Sequence, residues 1–420
     1  MSDPRLLFTA LFDAAIAAAH PEAVIRDVLP ARPRGRAIVV GAGKASAHMA
    51  VAFEAAWDGP LEGVVVTRYG QGAPCRRIEI LEAAHPVPDE AGLNASGRLF
   101  EAVRGLTEDD LVVALVSGGG SALLPSPPPG MSLADEIAVN EALLASGAPI
   151  AAMNTVRKHL SAIKGGRLAL AAHPAKVVSL VVSDIPGDNP AFVASGPTVA
   201  DAAGRDEALA IVEAYRLALP EAAMRHLRSE AADAPRPDDP RLAGNEVRVV
   251  ASAALSLEAA AREAKRHGLE AVILSDAIEG EARDVAGVHA AIAREIALRG
   301  RPFAKPVLLL SGGETTVTVR GRGGKGGRNG EFLLAFALAV EGCAGIHGFA
   351  ADTDGIDGSG DNAGAFADST SAARIRAAHL DPRAALVRND AWSAFDAVGD
   401  LFSPGPTGTN VNDLRAILVR

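Results

Sequence analysis

Apolar positions along the chain fall into two alternating patterns. Short runs such as Leu111–Val116 (LVVALV) and Val177–Ser183 are apolar almost throughout, as strands of a parallel sheet covered on both faces are. Between such runs lie longer segments with apolar residues at helical spacing, beginning with Leu6–Ala19. Arg36–Val40, Leu61–Thr67 and Arg77–Glu82 read as further strands, with helices over 47–57, Gly92–Arg104, 132–146 and 150–171. The polar, proline-rich stretch Ala231–Pro240 then reads as a linker. After it come strands Val247–Ala251, Glu270–Ser275, Val307–Leu310 and Gly345–Ala351, and β-like alternation over Thr315–Arg320. Helices Leu255–His267, Glu281–Arg299 and Glu331–Val340 are interleaved with them. This order predicts a doubly wound α/β architecture in two domains, 1–236 and 241–420.

Composition adds a clue about where a ligand would sit. Of 420 residues 43 are glycine, and they gather at strand ends: GAGK (41–44), SGGGS (117–121), SGGE (311–314) and GRGGKGGRNG (321–330). The formal charge of −10 argues against a nucleic-acid or anionic-membrane partner. Neither a signal peptide nor a membrane-spanning run is legible. Cys75 and Cys343 lack metal-ligand spacing, so a reduced, cytoplasmic protein is expected.

The loops narrow the chemistry. Gly41-Ala-Gly43-Lys44 follows a strand like a dinucleotide fingerprint, but Ser46 replaces the third glycine and Thr67-Arg68 stands where an acid is expected. Arg68 suits an NADP 2′-phosphate, so a nicotinamide cofactor stays open beside a plain tight turn. Lys44, at the start of a helix, suits a phosphoryl group or a carboxylate. Ser117, Gly118, Gly119, Gly120 and Ser121 can form a nest of amides for an anion, or Ser121 can simply cap a helix. On one continuous helix Arg157 and Lys164 would share a face, offering either an anion site or a solvated basic surface. Arg320, Arg322, Lys325 and Arg328 crowd a glycine-rich turn. Arg328 and Asn329 would open a helix there, where a cation is disfavoured unless an anion lies between. Glu314 of SGGE joins the expected binding residues. Asp184 and Asp188 at one strand end suit Mg²⁺, as do Asp352, Asp354, Asp357 and Asp361 at another, with Asx turns the alternative. Glycine loops, convergent cations and acidic strand ends together point to phosphoryl transfer onto a small acid.

With these residues assembled, the chain resembles the class II glycerate kinases (glycerate 2-kinases), whose C-terminal part is the MOFRL domain. The resemblance spans nearly the whole chain and rests on IVVGAGKAS (38–46), LVSGGGSALL (115–124), NTVRKHLSAIKGGRLA (154–169), SDIPGDNPAFVASGPT (183–198), GGRNGEFLLAFAL (326–338) and FAADTDGIDG (349–358). It implies phosphorylation of D-glycerate to 2-phospho-D-glycerate using ATP and Mg²⁺. It also implies a cleft between a Rossmann-like N-terminal domain and a smaller α/β domain with a MOFRL region at about 305–415. By motif match it implies catalytic roles for Lys44 and Arg328, and alanine at either is expected to leave folding intact and lower kcat/KM at least about tenfold. Gly330 departs from the glutamine many relatives carry. The resemblance leaves two rivals open: an NAD(P)H-dependent hydroxypyruvate reductase, a label such proteins often carry, and a non-catalytic binding protein. D-Glycerate and ATP are the expected partners, and a homodimer is compatible with the sequence.

Overall fold

The structure, a computed structural model, describes residues 3–319 and 324–420. Arg320 and Arg322 lie outside the described residues. The chain divides into two compact units, Pro21–Val250 and a second that joins the segment up to His20 to Ala251–Arg420.

The first unit holds a six-stranded sheet: β1 (Ala37–Ala42), β2 (Glu62–Arg68), β3 (Ile78–Ala83), β4 (Leu111–Ser117), β5 (Lys176–Val182) and β6 (Glu246–Ala251). Their order is β3-β2-β1-β4-β5-β6, and the β3-to-β5 pairs are all parallel. This is the doubly wound Rossmann order, in which ligands bind where the winding reverses, beside the carboxyl ends of β1 and β4. The continuous apolar runs follow from burial on both faces: every residue of β1 and β4 is buried. A separate helical cluster, including Val139, Leu143, Val156, Val212 and Leu227, completes the unit.

The second sheet departs from the expected parallel alternation. Its strands are β7 (Glu270–Ser275), β9 (Val307–Ser311), β11 (Ile346–Asp352), β12 (Gly364–Asp368), β13 (Leu401–Phe402) and β14 (Asp413–Val419). A parallel two-residue ribbon pairs β8 (Gly280–Glu281) with β10 (Thr315–Thr316). The order is β13-β12-β11-β14-β9-β7, with only β7–β9 parallel. Strand period sorts the core: Leu308 and Leu310 face one cluster, Val307 and Leu309 the other.

Two boundaries differ from the sequence division at 236 and 241. Strand β6, read as opening the second domain, is the edge strand of the first sheet. The helix Pro4–Ala19 belongs with the second unit, because its apolar stripe of Leu7, Phe8, Leu11, Phe12 and Ala15 packs on β11 and β14. Phe8 stacks on Phe349 at 5.7 Å between ring centroids. Among the described residues no helix is long and apolar enough to cross a membrane.

Candidate functional site

In the first unit the glycine loops after β1 and β4 meet. Gly43 has φ +142°, and a Cβ there would lie 2.1 Å from Ser117 Oγ, so glycine is required for backbone approach rather than for a ligand. A Cβ on Gly41 would similarly strike Leu115 O at 2.4 Å. The amides expected to cradle phosphate are taken internally. Lys44 N donates to Gly118 O (2.9 Å), Ala45 N to Ser117 Oγ (3.0 Å) and Ser46 N to Gly43 O (3.2 Å). The Gly41 and Gly43 turn thus docks one loop on the other.

That docking leaves the second loop open. Among the described residues, the amides of Gly119, Gly120 and Ser121 have no protein partner. Gly119 is left-handed (φ +79°), and the Lys44 stem lies beside it, 3.1 Å from where a Cβ would stand. Lys44 is half-buried and, among the described residues, has no carboxylate partner. The Asp184 carboxylate lies against Gly118, where a Cβ would come within 1.6 Å of Oδ2. Ser121 Oγ meets Ser195 Oγ at 2.9 Å, and Ser195 Oγ donates to Asn154 Oδ1 at 3.0 Å. Asp188, Ala194 and Ser195 hold positive φ of 51°, 53° and 59°. Such strain persists only where surroundings impose it, and here it lies in the segment lining the glycine loop.

The basic segment is different from its expected form. Helix Ile150–His159 ends before Gly165, and a second helix begins at Arg167, so Arg157 and Lys164 share no helical face. Lys164 is buried in an ion pair with Glu136 at 2.7 Å, and Lys158 pairs with Asp201. Arg157 Nε donates to Asn140 Oδ1 at 2.8 Å. Arg167 binds the carbonyls of Lys158, Lys164, Ala232 and Asp233. These cations tie loops together, and Gly165-Gly166 admits the 195–200 backbone rather than a ligand.

In the second unit Arg328 opens the helix Arg328–Ala339, and three of the protein's own carboxylates answer the expected conflict with the helix dipole. Its Nε donates to Asp413 Oδ1 (2.8 Å), Nη1 to Glu314 Oε1 (2.8 Å) and Nη2 to Asp352 Oδ2 (2.6 Å). Burial works against its charge, but Asp413, Asp352 and Glu314 outweigh that and hold it more firmly protonated than a free arginine. Burial also pushes the Asp352 carboxyl well above its usual range, with Arg328 opposing.

Asn329, fully buried, donates its Nδ2 to Asp413 Oδ1 at 2.8 Å. Asp357 accepts the amides of Asn329 (3.0 Å) and Gly330 (2.8 Å), and burial pushes its carboxyl up to about 6. Buried Arg415 joins Asp413 Oδ2 to Gly312 O and Thr315 Oγ1. Asp352 and Asp354 also make Asx turns to the amides of Asp354 and Ile356. Among the described residues no group of three or more His, Cys, Asp or Glu side chains is arranged to hold a metal. Sequence reasoning grouped Arg328, Asn329 and Glu314, but missed Asp413, the oxygen that joins the first two.

Comparison with known proteins agrees with both halves. Residues 7–228 match the family described as "Domain of unknown function (DUF4147)", and residues 307–413 match the MOFRL family. A protein of Agrobacterium vitis named putative hydroxypyruvate reductase is 55% identical over 99% of this chain and 94% of its own length. The glycerate 2-kinase of Pyrococcus horikoshii is 41% identical, covering 92% of this chain and 88% of that one. The crystal structure of a glycerate kinase from Thermotoga maritima superposes with a TM-score of 0.89 at 39% identity, covering 99% of each chain. The chain belongs to the glycerate 2-kinase family, in which a DUF4147 domain precedes a MOFRL domain.

Proposed function

We propose that this protein transfers the γ-phosphoryl group of ATP to the C2 hydroxyl of D-glycerate, giving 2-phospho-D-glycerate and ADP, with Mg²⁺ as the accompanying cation. The observation that carries the proposal is the Lys44 centre. Among the described residues, an ammonium without an ion-pair partner stands beside a turn of amides without protein partners, where a doubly wound sheet reverses its winding. Such a centre binds an anionic substrate and stabilises charge on a transferring group, which is most of what phosphoryl transfer asks of a protein. Lys44 takes the glycerate carboxylate or the transferring phosphoryl, and Arg328 stabilises charge developing during transfer.

The donors near the loop suit Mg²⁺ that arrives with a nucleotide. Mg²⁺ takes one or two carboxylates and fills its remaining positions with water and phosphate oxygens, and Asp184 against Gly118 offers such a carboxylate, with Asp188 as the second. Bound there, the cation would neutralise phosphate charge. The free thiols of Cys75 and Cys343 support a reducing, cytoplasmic setting.

The reductase name borne by a close relative is the rival reading. Against it stand the internally bonded amides of Lys44, Ala45 and Ser46, and buried Thr67 at the place of the ribose-binding acid. The test runs two assays in parallel: D-glycerate, Mg²⁺ and ATP, and hydroxypyruvate with NAD(P)H. Glycerate-dependent ADP formation is expected. Oxidation of NAD(P)H without it overturns the kinase, and saturable ligand binding with neither activity leaves a binding protein.

A further inference from the structure

The loop after β3 carries an imidazole that motif reasoning passed over. His85 is half-buried, and a Cβ built on Gly119 would stand 3.2 Å from its Nε2 and 3.1 Å from Lys44 Cγ. The ring and the lysine stem therefore border the same glycine. Among the described residues neither ring nitrogen of His85 has a hydrogen-bond partner. The two fully buried histidines differ: both nitrogens of His159 meet carbonyls, and those of His289 meet Val285 O and Ser311 Oγ. Those two are satisfied core groups, whereas the ring nitrogens of half-buried His85 are left to solvent or a ligand.

The surroundings define what that is. Burial, Lys44 and Arg68 together lower the His85 pKa to about 4, so the ring is neutral at physiological pH, with one donor and one acceptor. Lys44 and Arg68 already supply positive charge for a carboxylate or phosphate. A neutral donor–acceptor beside them is matched to an alcohol, which both gives and receives a hydrogen bond.

We propose that His85 hydrogen-bonds the non-reacting C3 hydroxyl of the acceptor acid, and so selects 2,3-dihydroxy acids over acids that lack this hydroxyl. The inference rests on the glycerate-kinase reading and adds a specificity-determining residue to it. A site built to bond a hydroxyl discriminates strongly against the analogue without one, because its polar group is then left unpaired.

D-Lactate, which has a methyl group in place of the C3 hydroxymethyl, is the probe. KM for D-glycerate and Ki for D-lactate as a competitor are measured at pH 7.5 for wild type, His85→Ala and His85→Gln, each checked for an unchanged melting temperature. His85→Ala is expected to raise KM for D-glycerate at least about tenfold with kcat changed less than about threefold, while Ki for D-lactate stays within about twofold. His85→Gln, which keeps a donor and an acceptor, recovers part of the KM. Parallel rises in KM and Ki, or an unchanged KM, overturn the proposal. Should D-lactate fail to compete with any of the three enzymes, recovery by His85→Gln decides for it and lack of recovery against it. Should His85→Ala melt early, His85→Gln alone decides: a KM rise without a parallel Ki rise supports the proposal, and any other pattern overturns it. Wild-type enzyme without glycerate-dependent ADP formation fails the parent reading instead, a result visible before any variant is made.

Discussion

Lys44 and Arg328 are both cations beside glycines at strand ends, yet their surroundings are opposite. Among the described residues, Lys44 stands beside amides without protein partners and makes no ion pair. Arg328 has each of its nitrogens on a carboxylate, from Asp413, Glu314 and Asp352. One centre is open to an anion as it stands, whereas the other, proposed to stabilise charge during transfer, is already set among the protein's own carboxylates. Charge alone therefore does not say how a cation works. What matters is what the protein has already placed around it. Lys164, buried against Glu136, belongs with Arg328 in this respect despite sitting in the same unit as Lys44.

The largest effect is expected at Arg328. Alanine there leaves Asp352 buried without its counter-charge and Asp413 with Arg415 alone, so the fold should weaken by about 3 kcal/mol while activity falls at least about a hundredfold. This revises the expectation that an alanine variant keeps the fold intact. Arg328→Lys, with one point charge for three separated oxygens, should recover part of the stability and little activity. A melting curve unchanged in Arg328→Ala would break the comparison, since it would make the carboxylates indifferent to their partner.

Lys164→Met comes next and acts on stability alone. Stranding Glu136 in the interior should cost about 3–5 kcal/mol by denaturant titration, and Lys164→Met with Glu136→Gln should restore much of it. In the folded protein kcat/KM should stay within about threefold of wild type. Lys44→Ala is the mirror image: kcat/KM should drop at least about tenfold, about 1.4 kcal/mol, with little change in melting temperature. If Lys164→Met lost activity and Lys44→Ala lost stability, the roles assigned to the two lysines would be reversed.

These contrasts also measure what the sequence can disclose. The first sheet was readable because parallel strands buried on both faces are apolar without interruption, and β1 and β4 are such strands. The second was read only in part. Strand β14 lies between β11 and β9, yet its sequence DLRAILV opens with Asp413 and contains Arg415, buried charges that pair with each other and, through Asp413, with Arg328 on another element. Nothing local announces that Asp413 will meet Arg328, 85 residues away. The helix Pro4–Ala19 shows an apolar stripe but not the sheet it covers. Among site residues, Lys44 and the SGGGS loop were visible because glycine at strand ends has few uses. The face shared by Arg157 and Lys164 was not real, because Gly165-Gly166 separates two helices. His85 was invisible, as a histidine without a motif always is.

The smallest effect tests how firmly the Arg328 centre is held. Asp357 caps the helix that begins at Arg328, one carboxylate oxygen on the amide of Asn329 and the other on that of Gly330. Burial raises its pKa to about 6, with those two amides opposing. Protonation as pH falls through 6 removes one acceptor, loosens the first helical turn and tilts Arg328 against its carboxylates. Wild-type kcat should therefore decline on the acid side with an apparent pKa near 6. Asp357→Asn, whose amide offers a single oxygen at every pH, should lose about threefold in kcat at pH 7.5 and show no further decline near pH 6. The stability change has the opposite sign. The folded pKa lies above the unfolded value, so the folded state binds the proton more tightly, and the contribution of Asp357 to stability falls as pH rises from about 4 to 6. Asp357→Asn should remove that decline from the melting profile. A variant that keeps the acid limb of kcat would mean that the cap and Arg328 are not coupled, leaving Arg328 held by its three carboxylates alone.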